Sequence, residues 1–194
     1  MFENIVQADK DITVFFNSLN NVWADSIFYF ISNKYTWIPI YIGLLFFVIK
    51  KGGKSAIPFI LYLALMILAA DQTCNFVKHL VERLRPCHDG TINGMIHIVK
   101  NHCGGKYGFF SSHAANFFAL ATFTSIYFRN KTYFIVAFIL AIITSYSRIY
   151  LGVHFLGDVV CGAYNGILWG IIASICYSKF GHKLIKGHQL YGRL

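Results

Sequence analysis

The chain has 194 residues, 56% hydrophobic and only 13% charged, with nineteen Phe and twelve Tyr. A soluble domain needs a polar surface, typically with about 25% charged residues, and disorder is excluded by the same apolar content; three Pro and sixteen Gly exclude a linker-rich or collagen-like chain. What remains is a membrane protein of one domain, carrying seventeen Lys and Arg against eight Asp and Glu, a net charge of +9 that has to be placed.

In chain order, residues 1–34 come first. Glu3, Asp9, Asp11 and Asp25 oppose Lys10, and Phe15, Phe16, Trp23, Phe28 and Phe30 lie among Asn17, Asn20 and Asn21. That mixture is too polar for a good span. It reads as an interfacial segment of one or two amphipathic helices at the outer membrane-water boundary. The alternative is a sixth span over roughly residues 13–33, which would place the N-terminus inside. No basic region followed by an apolar run opens the chain, so no cleavable signal peptide is expected. There is no internal repeat and no low-complexity tract.

Five apolar stretches follow: Tyr35–Ile49, Ala56–Val77, His113–Phe128, Thr132–Tyr146 and Phe155–Phe180. A spanning helix needs about 17–25 residues. The second and last meet this, and the other three need help from their flanks or from a thinned or protein-packed end. Asp71, Gln72 and Asn75, near the end of the second, are expected to face the bundle interior. The fold class is therefore all-α: an integral membrane helical bundle with about five, at most six, transmembrane helices. The domain division is an N-terminal segment over 1–34, a membrane domain over 35–180 and a basic cytoplasmic tail over 181–194.

The loops set the orientation. Lys50, Lys51 and Lys54, then Arg129 and Lys131, then Lys179, Lys183, Lys186 and Arg193 alternate correctly to share one side, nine basic residues with no acidic one. The positive-inside rule makes that side cytoplasmic. His182 and His188 read as solvated residues of the tail. Of five Cys, Cys74, Cys161 and Cys176 fall in spans and read as small core residues. Cys87 and Cys103 fall in the outer loop, Pro86 to Phe110. They form either a disulfide, which an oxidising compartment permits, or two free thiols. They are too few and too far apart for a zinc site.

Six basic residues remain for the outer side: Lys78, Arg83, Arg85, Lys100, Lys106 and Arg148. Three clusters there carry chemistry. In the first, Lys78 and Arg85 lie seven apart and would share one helical face, with Pro86 ending the helix. They read either as a grip on one multiply charged anion or as an ordinary basic helix end. In the second, Ser111 is a candidate N-cap. The N–H groups of Ser112 and His113 would then open an anion site, with His113 able to donate a proton. A simple cap with an incidental His is the alternative. In the third, Arg148 precedes His154 and Asp158, which are four apart on a helix. A carboxylate on one imidazole nitrogen fixes the tautomer and frees the other to attack or to accept a proton. The alternative is a His–Asp pair that only satisfies itself. Metal binding is weakened by the three cations and the lack of a second carboxylate. All three clusters fall on the outer side assigned from loop charge alone, which argues for one outward-facing anion pocket.

The pattern resembles the type-2 phosphatidic-acid phosphatase family of membrane lipid phosphatases. Its first motif, Lys, six residues, Arg-Pro, is matched by Lys78, Arg85 and Pro86. Its second, Pro-Ser-Gly-His, reads Phe110-Ser111-Ser112-His113, with Phe for Pro and Ser for Gly. Its third, Ser-Arg, five residues, His, three residues, Asp, is matched in full by Ser147, Arg148, His154 and Asp158. The resemblance implies that His154 is the nucleophile that becomes a phosphohistidine and that Asp158 orients it. It implies that His113 is the general acid. Lys78, Arg85 and Arg148 would hold the phosphoryl oxygens, with Ser111, Ser112 and the helix-start N–H groups helping. It implies no metal and no cofactor.

The expected substrate is a lipid phosphate, since the pocket would lie at the lipid-water boundary. Undecaprenyl diphosphate is favoured, with lipid A phosphate, phosphatidylglycerophosphate and phosphatidic acid as rivals. The basic outer loop suits a diphosphate or a sugar phosphate without choosing between them. The expected partners are that substrate and membrane lipids, with no nucleic acid. The expected location is a bacterial inner membrane with the site facing the periplasm. A vanadium haloperoxidase shares the pocket signature but is soluble and much larger. A non-catalytic transporter or scaffold would be expected to have lost His113, His154 or Asp158, and this chain keeps all three.

Overall fold

A computed structural model describes residues 2–181, and the expected tail beyond Gly181 lies outside them. Among the described residues the chain forms seven α-helices: α1 (Phe2–Ser18), α2 (Val22–Ser32), α3 (Ile38–Gly52), α4 (Ala56–Val81), α5 (Ser112–Phe128), α6 (Lys131–Tyr150) and α7 (Leu156–Phe180). The starts follow local chemistry. Asn21 caps α2 by accepting from the Ala24 N–H at 2.9 Å, and Asn130 caps α6 by accepting from the Tyr133 N–H at 2.9 Å. Pro39 opens α3, where its missing N–H costs nothing. Three stretches are long and apolar enough to cross a membrane: Lys34–Val81, which holds both α3 and α4, then Lys131–Tyr150 and Leu156–Phe180.

The five apolar stretches of the sequence become α3 to α7, with ends shifted by a few residues. The polar N-terminal segment is two helices. A single sixth span over 13–33 does not form, because the chain breaks between Ser18 and Val22. The eleven residues of α2 reach about 16 Å, half a bilayer core.

At the centre stands α5, packed against α4, α6 and, most extensively, α7. Gly162, Gly166 and Gly170 form a stripe at helical spacing on α7. A Cβ on each would overlap the Ser111 carbonyl, the Ala115 carbonyl and the Thr122 side chain in turn. Two helices can approach this closely only through small residues. Towards the end carrying the basic loops, Phe59, Phe123 and Tyr177 fill a core with Val48, Met66 and Ala173. Outward-facing positions such as Phe46, Leu61, Leu65, Ile139, Ile142, Leu168 and Ile175 are exposed, as a lipid-facing girdle requires. Within α4, Asn75 donates to Asp71 at 3.0 Å and both are half-buried. Gln72 does not face the interior as expected; it lies exposed, because the helix rotation that buries Cys74 turns it outward.

The segment between α4 and α5 is irregular but fastened. Cys87 and Cys103 are joined in a disulfide, with Cα atoms 6.0 Å apart, which resolves the open choice between bridge and free thiols. Lys10 of α1 pairs with Asp89 at 2.8 Å. Buried Asn17 accepts from the His97 N–H at 2.7 Å and donates to the Tyr150 carbonyl at 2.7 Å. Asp25 of α2 meets His97 at 3.0 Å and accepts from the Tyr150 hydroxyl at 2.7 Å.

Candidate active site

The expected helix through Arg85 stops early. Glu82 takes a left-handed conformation and caps α4 by donating its N–H to the Lys78 carbonyl. Residues 83–85 then run extended beside 106–108: Arg85 N–H donates to Lys106 at 3.1 Å and Gly108 N–H to Arg83 at 2.9 Å. Lys78 and Arg85 therefore do not share a helical face. Lys78 remains on α4, and Arg85 reaches the site from the paired segment. Arg85 donates to the Tyr107 carbonyl at 3.2 Å and to the Val153 carbonyl at 3.2 Å. That places its guanidinium beside the residue preceding His154.

His154 lies in the turn between α6 and α7, 2% exposed. The turn is tight: Val153 and His154 both donate to the Arg148 carbonyl, and Gly152 adopts φ 69° against Ile96 and the His97 carbonyl. His154 Nδ1 faces Asp158 Oδ2 at 3.3 Å, and Oδ2 also accepts from the Phe155 N–H at 3.0 Å. A carboxylate only accepts, so Nδ1 carries the hydrogen and Nε2 keeps its lone pair. Burial, then the charges of Arg85, Arg148 and Lys78, hold this imidazole well below its ordinary value, in the neutral form a nucleophile needs.

The start of α5 adds the second cluster. Ser111 is fully buried; its Oγ accepts from the Ala114 N–H at 3.5 Å and its own N–H donates to the Asp158 carbonyl at 3.0 Å. That backbone link ties the second motif to the third. It also leaves Ser111 only its hydroxyl hydrogen for an anion. Ser112 Oγ lies 2.6 Å from Lys78 Nζ, joining the first motif to the second. The N–H groups of Ser112 and His113 open the helix and have no acceptor within it. His113 Nε2 lies 3.2 Å from the Ser32 carbonyl. Since a carbonyl only accepts, Nε2 carries the hydrogen and Nδ1 is the free nitrogen. Arg148 completes the set. One terminal nitrogen donates to Ser32 Oγ, while its buried Nε has no partner. A buried guanidinium nitrogen with no protein partner, close to the cations of Arg85 and Lys78 and to the helix-start N–H groups, is chemically suited to an anion.

The structure thus brings the residues of the three motifs together in one place. Beside them opens a pocket of about 420 Å³ lined by His113, Arg148, Tyr29, Lys34, Tyr35 and His102, among others. Three partners were not expected. Ser32, at the end of α2, holds both His113 and Arg148. Arg83 donates to Asp158 Oδ1 at 3.0 Å, and Asp9 of α1 accepts from Arg83 at 2.6 Å. The sequence offers no spacing signal for them, since these contacts join residues more than seventy positions apart. Among the described residues the one trio of metal-capable side chains is Cys87, His88 and Cys103, whose two sulfurs form the disulfide.

The sequence pattern of the PAP2 superfamily matches residues 59–182. A lipid A 4'-phosphatase of Porphyromonas gingivalis is 36% identical over 170 residues, covering 87% of this chain and 72% of that protein. A lipid A 4'-phosphatase of Bacteroides thetaiotaomicron is 37% identical over 169 residues, covering 86% and 75%. Among solved structures, Aquifex aeolicus LpxE superposes with a TM-score of 0.63 at 25% identity, covering 84% of this chain and 92% of that one. A transmembrane PAP2-type phosphatidylglycerolphosphate phosphatase of Bacillus subtilis superposes with a TM-score of 0.67 at 21% identity, covering 95% and 90%, a likeness of fold.

Proposed function

The chain belongs to the PAP2 superfamily and is a lipid phosphatase of that type; from that premise we propose that it removes a phosphate from the sugar headgroup of lipid A. One observation carries the choice of substrate: two relatives at 36% and 37% identity, matched over most of this chain, are named lipid A 4'-phosphatases. They favour lipid A over undecaprenyl diphosphate, the first expectation from the sequence. The pocket supports this reading. At about 420 Å³ it holds more than a phosphate, and it sets Tyr29 and Tyr35 beside Asn33, Lys34 and His102. Aromatic faces with hydrogen-bonding neighbours suit a phosphorylated sugar.

In the proposed mechanism, His154 Nε2 attacks the phosphorus. The N–P bond forms as the bond to the lipid oxygen breaks; His113, carrying a second proton on Nδ1 while the anionic phosphate is bound, gives that proton to the leaving oxygen and is left neutral with Nε2–H on the Ser32 carbonyl. Asp158 holds Nδ1–H of His154 and balances the positive charge that develops there. Lys78, Arg85, Arg148 and the donors of Ser111, Ser112 and the α5 start bind the phosphoryl oxygens. Positioning and charge stabilisation dominate phosphoryl transfer, and this donor set supplies both. Water activated by His113 then attacks, the N–P bond breaks, and phosphate leaves. The proposed setting is a bacterial inner membrane with the site on the periplasmic side. The disulfide beside the site supports that side, because such bonds persist in oxidising compartments. The membrane domain proposed for it is 35–180, with 1–34 lying along its outer boundary.

The test is phosphate release in detergent from lipid A, undecaprenyl diphosphate, phosphatidylglycerophosphate and phosphatidic acid. Lipid A is expected to give the highest kcat/KM, undiminished by EDTA. A higher value for undecaprenyl diphosphate would overturn the substrate. Robust turnover by folded His154→Ala would overturn the mechanism.

A further inference from the structure

Asp158 divides its two oxygens. Oδ2 serves His154 and the Phe155 N–H, while Oδ1 accepts from Arg83 at 3.0 Å. Arg83 is no part of the three motifs. Its second terminal nitrogen donates to Asp9 Oδ2 at 2.6 Å, and its guanidinium carbon lies 4.0 Å from the centre of the Phe155 ring. Both ends of its fork are therefore committed to carboxylates, which leaves it poorly placed to grip a phosphate. Asp9 does more than hold Arg83. Its other oxygen accepts from the Gly157 N–H at 2.8 Å, and Thr13, four residues along the same helix, accepts from the Leu156 N–H at 3.0 Å. Those are the first two N–H groups of α7, which have no acceptor in their own helix. The residue before them is Phe155, whose side chain has no oxygen to cap with. Asp9 and Thr13 of α1 supply the cap from outside, and Gly157 makes room, since a Cβ there would stand 2.9 Å from Asp9 Oδ2.

We propose that Arg83, braced by Asp9 of the N-terminal helix, is a positioning residue for the catalytic pair His154–Asp158. Arg83 keeps Asp158 ionised and turned towards the imidazole, and α1 fixes the turn of α7 that carries Asp158. The N-terminal segment is then part of the catalytic apparatus. This rests on His154 being the nucleophile, so inactivity of His154→Ala is the control that separates the two ideas.

The charged and titratable groups facing Asp158 are Arg83, Arg85, His154, Lys78 and Cys161, with Asp9 across Arg83. Removing the Arg83 cation makes both members of the pair easier to protonate, so the acid limb of kcat moves to higher pH. The experiment measures kcat, KM and the pH profile of Arg83→Gln, Arg83→Lys and Asp9→Asn in detergent on whichever lipid phosphate of the panel above the unmodified protein turns over fastest. Arg83→Gln is expected to lower kcat on the order of 10–100-fold, the scale of a small misplacement, with KM within about twofold. Its acid limb should move up. Arg83→Lys, which keeps the charge, should recover part of kcat and return the limb. Asp9→Asn should fall in the same sense by less, because its oxygen still caps Gly157. A raised KM with kcat intact would place Arg83 on the substrate and overturn the proposal. Equal losses in Arg83→Gln and Arg83→Lys with an unmoved limb would make the role merely structural and also overturn it. If Arg83→Gln does not fold, Asp9→Asn and Gly157→Ala are read by the same criteria.

Discussion

A Cβ at Gly108 would stand 2.8 Å from Asp158 Oδ2 and 3.5 Å from His154 Nδ1, so glycine there is what allows the loop to close over the pair. Gly108→Ala must push the carboxylate or the loop aside. Misplacement of this kind costs on the order of 100-fold in rate, and kcat of this variant is expected to fall by that much while the protein still unfolds cooperatively. The charge around His154 has its own consequence. Burial and three cations lower its pKa, so the neutral form that the proposed attack needs persists as pH falls through the ordinary imidazole range. The acid limb of kcat/KM, which reports the free enzyme, should therefore lie below about pH 6.5. A limb at or above that value would mean that His154 is exposed or is not the nucleophile. The residues proposed to touch the phosphate were legible in the sequence because chemistry fixes their types and the chain fixes their spacing. Ser32, Arg83 and Asp9 were not. Their contacts arise only when α1 and α2 fold back on the bundle, and no local pattern records that.

Helix spans were readable from apolar runs, but the packing that aligns them rests on a pattern inside one run. Gly162, Gly166 and Gly170 place backbone against backbone along α5 and α7, and this contact holds Ser111 to Asp158. The three glycines stand in plain view at four-residue spacing, hidden only because an apolar span reads the same with or without them. Gly166→Ala forces a methyl into the Ala115 backbone. Overpacking of this kind costs about 1–3 kcal/mol. Thermal unfolding in detergent should show that loss, together with reduced turnover as the α5 start leaves the nucleophile. The helix expected through Arg85 failed for the converse reason. A spacing of seven fits two helical turns as well as it fits a helix end followed by an extended pair, and Glu82 in a left-handed cap carries no composition signal. The extended pair leads into the loop closed by Cys87 and Cys103, sixteen residues apart. A loop of that length is worth about 3 kcal/mol. Cys103→Ser, or reductant on the native chain, should lower the unfolding midpoint and loosen the Arg85 side of the site, measured as a rise in KM.

On the scale of the whole molecule, the net charge of +9 is a division of labour. Lys50, Lys51, Lys54, Arg129, Lys131 and Lys179 lie at the ends of helices remote in sequence from the three motifs, while Lys78, Arg83, Arg85 and Arg148 gather at the site. The N-terminal helices lie over that second group. They present Ile5, Phe15, Val22, Trp23, Ile27 and Phe30 outward, an apolar face against which lipid headgroups and chains can rest. Fastened by Asn17, Asp25 and Lys10 to the loop beneath, they roof the site. This arrangement fixes a sidedness that labelling can measure. A cysteine introduced at Lys54, between α3 and α4, and another at Gly94, in the disulfide-closed loop, occupy opposite ends of the bundle. In intact cells an impermeant maleimide should label the Gly94 position and spare the Lys54 position until the membrane is opened. The reverse pattern would place the site in the cytoplasm. It would also leave the Cys87–Cys103 bridge in a reducing compartment, where such a bond does not persist, so the two observations stand or fall together.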